Sequence, residues 1–158
     1  LSLNGSGQLV TCNEAIKQNL KKYLSQYRLM TDAIQIKDPF IINIGVDCEI
    51  IARPSENSNE VSLRVLEKLI EIFDPMNMNI NAPIIISNIV SKLDLVDGVQ
   101  SVRNIEFTNL IDVNHGYSGN QYDLKTATRD RVIYPPCDCS IMTVQYPKRD
   151  LRCRVVEI

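Results

Sequence analysis

Hydrophobic and polar residues alternate most regularly over residues 40–53. Ile42, Ile44, Val46, Cys48 and Ile50 fall on one face, and Asn43, Gly45, Asp47 and Glu49 fall on the other. A period of two marks a strand with one packed face and one wet face, and such a strand predicts antiparallel neighbours. The period then changes. Over residues 59–73, Val61, Val65, Leu66, Leu69 and Phe73 recur at three- and four-residue spacing, the buried stripe of an amphipathic helix. Ser58 or Asn59 is placed to cap it, Glu60 complements the dipole in its first turn, and Asp74-Pro75 ends it.

The same reading extends along the chain. Thr11 or Asn13 caps a first helix whose apolar positions are Ile16, Leu20, Tyr23, Leu24 and Tyr27, with Lys17, Lys21 and Lys22 on a solvated face. Residues 33–37 read as a short strand before Asp38-Pro39. After an irregular stretch at 76–82, residues 83–86 are extended and Ser87 caps a second core helix with Ile89, Val90 and Leu93 inward. It ends near Asp97-Gly98, where glycine accepts a positive φ, and residues 99–108 return as a strand. Residues 112–122 are a loop by composition. Strands at 131–134, 140–146 and 151–158 follow, and their flanking prolines point to edge positions or to an arm lying on a neighbour. The expected fold is α+β: a two-layer sandwich of a mainly antiparallel sheet with two or three helices, plus an extended C-terminal arm. It divides into a lead-in and helix (1–38), a core (39–111) and a Tyr/Pro-rich loop with C-terminal strands or arm (112–158).

Size and charge narrow the function. A chain of 158 residues fits one domain able to bury roughly 70% of its unfolded surface. A net charge of −2, with Lys and Arg scattered, argues against nucleic acid and anionic membranes as partners. A sheet-based RNA binder would need basic and aromatic residues where Asp47 and Glu49 stand. No apolar run approaches the roughly 20 residues that span a bilayer, and residues 1–10 lack a signal-peptide pattern, so a soluble, unsecreted chain is expected. The first residue, Leu1, suggests a piece of a longer polypeptide. Cys12, Cys48, Cys137, Cys139 and Cys153 match no secreted disulfide scaffold and read as free thiols in a reducing compartment.

Candidate chemistry is sparse. Cys137-Asp138-Cys139 is the nearest approach to a metal motif, with only Cys153 and His115 to complete a tetrahedral set. A small metal-dependent enzyme or metal-binding module using Cys137, Cys139, Cys153 and His115 is therefore the alternative reading. Asp112 and His115 could form an acid/base pair, but no recognisable nucleophile stands near them. Gly116-Tyr117-Ser118-Gly119 lacks the strand-to-helix setting of a phosphate loop and specifies a turn. Glu67 and Glu71, interleaved with Arg64 and Lys68, read as a salt-bridged surface. The tyrosines gather where regular structure is weakest, so Tyr117, Tyr122, Tyr134 and Tyr146, with Ile141 and Leu151, are the candidate interface residues. No catalytic residue, cofactor or resident metal is expected.

Whole segments also carry a resemblance. They are Asn19-Leu20-Lys21-Lys22-Tyr23-Leu24-Ser25-Gln26-Tyr27-Arg28-Leu29-Met30-Thr31-Asp32, Phe40-Ile41-Ile42-Asn43-Ile44-Gly45-Val46, the helix at 59–73, and Val96-Asp97-Gly98-Val99-Gln100-Ser101-Val102. Together they resemble the baseplate J-like family of contractile phage tails. Tyr134-Pro135-Pro136-Cys137-Asp138-Cys139-Ser140-Ile141-Met142 and Tyr146-Pro147-Lys148-Arg149-Asp150-Leu151 narrow the resemblance to the large wedge subunits of T-even-like and cyanophage-like baseplates. It covers the chain from about Asn13 onward. It implies the C-terminal part of a structural wedge subunit in the virion, assembled in the bacterial host cytoplasm. Copies would self-associate as a dimer or ring and join other baseplate wedge proteins around a central hub. The family brings no catalytic residues, and the resemblance further weakens a metal role for Cys137 and Cys139.

Overall fold

The computed structural model describes residues 1–3, 9–29, 32–136 and 139–156. They form two compact units, Leu1–Pro39 and Phe40–Ile158.

In the first unit, β1 (Ser2–Leu3) and β2 (Leu9–Val10) form a short antiparallel ladder, followed by helix α1 (Glu14–Leu24). Asn13 is the cap, its side-chain oxygen accepting from the Ala15 amide at 3.1 Å. The helix lies where its periodicity puts it, yet it buries none of its residues. Ile16, Leu20, Tyr23 and Leu24 are all exposed, and Tyr27, expected to continue the apolar spacing, lies beyond the end of the helix and is 72% exposed. Lys17 pairs with Asp38 and holds that carboxyl below its usual range. Residues 33–37, expected as a strand, join no ladder. Extended chain becomes a strand only where a neighbour takes its backbone hydrogen bonds.

The second unit is built on β3 (Phe40–Ala52). It continues through α2 (Ser58–Ile72), β4 (Ile84–Ile85), α3 (Ile86–Asp94), β5 (Val99–Asn109), α4 (Leu124–Ala127), β6 (Thr128–Arg129), β7 (Val132–Ile133), β8 (Ser140–Thr143), α5 (Pro147–Asp150) and β9 (Leu151–Val155). The architecture is α+β, as expected, and among the described residues most strand pairings are antiparallel. One edge of β3 pairs antiparallel with β5, Val46 opposite Phe107 and Cys48 opposite Ile105. The other edge differs from the expectation of antiparallel neighbours. There β8 and then β9 run parallel to β3, Ile41 opposite Ile141 and Cys48 opposite Cys153. The alternative left open for the C-terminal stretch thus resolves into edge strands of the main sheet, within the same unit as the core.

Ile42, Ile44, Val46, Cys48 and Ile50 are buried beneath α2, which lies against β9, and α3, which lies against β5. Val61, Val65, Leu69 and Phe73 enter this layer as the periodicity predicts, and the Phe73 ring meets Phe107 edge-on with centroids 6.2 Å apart. The α2 cap is Asn57, one residue ahead of the expected Ser58, its side-chain oxygen accepting from the Asn59 amide. Ser87 is not a cap. The chain passes from β4 directly into α3, and the Ile86 amide donates instead to the Arg131 carbonyl at 2.9 Å. Gly98 takes the expected positive φ, 89°. A second small sheet, in the order β4-β7-β6, is antiparallel and buries Ile84 against Ile133.

Leu69 is fully buried in α2, whereas Leu95, just after α3, is exposed. Leu69→Ala should therefore lower unfolding free energy by about 2–5 kcal/mol, while Leu95→Ala should change it by less than about 0.5 kcal/mol. Urea denaturation of both variants checks the contrast.

Candidate functional site

The polar face of β3 is not uniformly wet. β5 ends at Asn109, opposite Ile44, so β3 runs on toward Phe40 with that edge unpaired. Buried backbone groups left there would be costly, and the 110–122 segment satisfies them. Leu110 N donates to the Asn43 carbonyl at 2.9 Å, and Asn109 Nδ2 donates to the same oxygen at 3.0 Å. The Ile41 carbonyl accepts from Ser118 Oγ and Asn120 Nδ2, both at 2.8 Å. Asn43, expected to face water, is only 1% exposed. Its Oδ1 accepts from the Ser118 amide at 2.6 Å and its Nδ2 donates to Gln145 Oε1 at 3.4 Å. The loop read from composition is therefore tied down at several points.

On the opposite edge, the chain leaves the sheet between β8 and β9. Residues 144–150 form an excursion beside Ile44 and Gly45. Gly45 makes room on the β5 side: a Cβ there would lie 2.9 Å from Thr108 Oγ1 and 3.3 Å from Leu110 Cδ1, whereas the Asp150 carbonyl oxygen, at 3.5 Å, would be in ordinary contact. The excursion delivers Tyr146, Arg149 and Asp150 to Tyr117, across the sheet from β5.

These four residues form the densest polar cluster on this face. The Asp150 side chain is 1% exposed. One of its oxygens accepts from the Tyr117 hydroxyl, and the other accepts from the Tyr146 amide at 2.7 Å. Arg149 Nε donates to the Tyr117 hydroxyl oxygen at 3.1 Å and lies 3.6 Å from Asp150 Oδ1. Its guanidinium is 4.9 Å from the Tyr117 ring centroid and 4.7 Å from that of Tyr146, while the two rings meet edge-on at 5.6 Å. A buried carboxylate is costly without such partners, and each cation–π contact adds about 0.5–1 kcal/mol at an exposed site. Burial, followed by the neighbouring Asp150, pushes the Tyr117 hydroxyl above its ordinary pKa.

An open cleft of about 540 Å³ adjoins the cluster, lined by Asp47, Asp112, His115, Tyr117, Arg149 and Arg152 among others. Asp112 caps the 113–115 turn through the Asn114 amide and also meets His115 Nδ1, which holds its carboxyl below the usual range. Both side chains are solvent-accessible, so the pair closes a turn at the surface. On the helical face Lys68 pairs with Glu71 at 2.7 Å and Arg64 with Glu56 and Glu60, the salt-bridged surface expected there.

The metal candidates are scattered. Cys137 and Asp138 lie outside the described residues. Cys139 is exposed, His115 is in the turn with Asp112, and Cys153 is on β9 opposite Cys48. Among the described residues no group of three His, Cys, Asp or Glu could hold a metal ion.

The interface candidates separate into three kinds. Tyr117, Tyr122 and Tyr146 are half-buried and hydrogen-bonded within the fold, Tyr122 donating to the Tyr134 carbonyl at 2.8 Å. Tyr134 remains exposed. Ile141 and Leu151 are each only 3% exposed, which corrects their assignment to an interface: parallel pairing on β3 places them in the buried sheet. The Arg149–Asp150 pair escaped the sequence reading. No model of a known protein family and no curated protein sequence matches the chain.

The Tyr117 site has a pH signature. Because folding raises the Tyr117 pKa, its stabilisation is complete below the unfolded value of about 10 and is lost as pH rises through the folded value. Tyr117→Phe should cost about 1–2 kcal/mol at neutral pH, and the gap to the unaltered chain should narrow above pH of about 10. Unfolding titrations from pH 7 to 11 on both chains measure it, using ~1 pH unit steps.

Proposed function

We propose that this chain is a structural assembly module, a component of a phage tail baseplate wedge that self-associates and joins other wedge subunits. One observation carries the reading: α1 leaves Ile16, Leu20, Tyr23 and Leu24 exposed and buries none of its residues. An 11-residue helix is marginal by itself, and amphipathic helices gain most of their stability by packing the apolar face. Within the helix Ile16, Leu20 and Tyr23 are spaced by four and then three residues, the seam pattern that suits a partner helix. A second copy offers the same seam, and a symmetric contact would bury both at once. The segmental resemblance to baseplate J-like wedge subunits supports the same reading.

The surface for self-association is α1, not the C-terminal residues. Removing everything after Tyr134 would delete β8 and β9 from the main sheet and unfold the unit, so it cannot report on assembly. Light scattering during size-exclusion chromatography should show a concentration-dependent oligomer. The double variant Leu20→Glu/Tyr23→Glu should be monomeric with an unchanged unfolding transition. An unaltered chain that stays monomeric at every concentration overturns the proposal, and so does a variant that associates equally well.

A further inference from the structure

Cys48 and Cys153 stand directly opposite each other where β3 and β9 run parallel. Partners in such a register point to the same face, and adjacent strands lie about 4.8 Å apart. That separation is within the range of Cα distances, about 4.4–6.8 Å, that a disulfide bridges. Both thiols are free. They differ in access: Cys48 is buried under the helical layer, while Cys153 is partly open. β9 is an edge strand that pairs with β3 alone among the described strands, with α2 packed on it.

We propose that Cys48 and Cys153 form a reversible oxidation site, closing a disulfide that locks β9 onto β3. The oxidant is a low-molecular-weight disulfide such as oxidised glutathione. In the first step the Cys153 sulfur attacks one sulfur of that disulfide, forming a mixed disulfide and releasing one small thiol that carries away the Cys153 proton. In the second, the Cys48 sulfur attacks the Cys153 sulfur. The second small thiol leaves with the Cys48 proton. Two cysteines are thereby oxidised by two electrons, and the small disulfide is reduced to two thiols.

The order of attack follows from the environment of each sulfur. A hydrogen bond shared by the pair, reinforced by burial, keeps the Cys48 thiol protonated, and the same hydrogen bond draws the Cys153 thiol below its usual pKa. The more acidic and more open sulfur is the entry point. The buried one resolves the adduct in place. The ring so closed contains both α2 and α3, and long closed loops restrict the unfolded chain most. This site does not depend on the assembly reading.

The test uses the folded chain. It is incubated with oxidised glutathione, the remaining thiols are blocked under denaturing conditions, and the peptides are mapped by mass spectrometry. The expected product is a Cys48–Cys153 peptide pair lighter by two hydrogens and separable by reductant. At the urea concentration that half-unfolds the reduced chain, the oxidised chain should be unfolded to no more than about one tenth. A persistent glutathione adduct on Cys153 overturns the proposal, as do unchanged thiols at 48 and 153, or bonds from either to Cys12, Cys137 or Cys139. A Cys48–Cys153 bond that leaves the urea midpoint unchanged or lowers it overturns the locking role.

Discussion

The backbone of β3 sets the terms for the rest of its unit. Its 13 residues carry donors and acceptors toward both edges, and most of the strand is buried, where unpaired groups cost about 1–3 kcal/mol each. No single neighbour meets this demand. β5 takes one edge as far as Ile44, and the 110–122 segment completes it. β8 and β9 divide the other edge between them. The helices then cover the apolar face that this pairing holds flat and continuous. Remove any of the partners and the others lose the strand that orders them.

The polar face shows how the same demand generates a site. Where two segments must leave the sheet to reach β3, they bring side chains with them. Tyr117 arrives from one side; Tyr146, Arg149 and Asp150 arrive from the other. A carboxylate enclosed there is acceptable only because each of its oxygens has a donor, and the neighbouring guanidinium lies over the two edge-on rings of Tyr117 and Tyr146. The result is a rigid polar joint between distant parts of the chain.

Local periodicity was legible where one face of an element meets the core. The alternation from Ile42 to Ile50 and the stripe from Val61 to Phe73 both identified buried residues, and Gly98 marked its turn. Side chains that answer to distant backbone were not legible. Asn43 looks solvent-facing by period, but the end of β5 leaves an open edge that only a buried amide and a folded-over segment can complete. Ile141 sits in a short apolar run and Leu151 in an alternating one, and either pattern fits an arm as well as a strand until β3 supplies their partner. Ser87 resembles a cap, but the Arg131 carbonyl already takes the neighbouring amide. Periodicity identified the apolar face of α1, and it says nothing of what covers that face.

The pairing of Phe40 with Ser140 and Val46 with Leu151 also sets a timetable for synthesis. A ribosome that has just finished β3 has roughly a hundred residues still to translate before the strand's second edge exists, a delay of about 5–20 s at ordinary elongation rates. Until β5 is made both sides of the strand carrying Ile42, Ile44 and Val46 are open, and until β8 and β9 are made one side remains so, the condition in which nascent chains pair with the wrong neighbour. The early strand is thus the one most in need of shelter, and the last strands made are the ones that end its exposure.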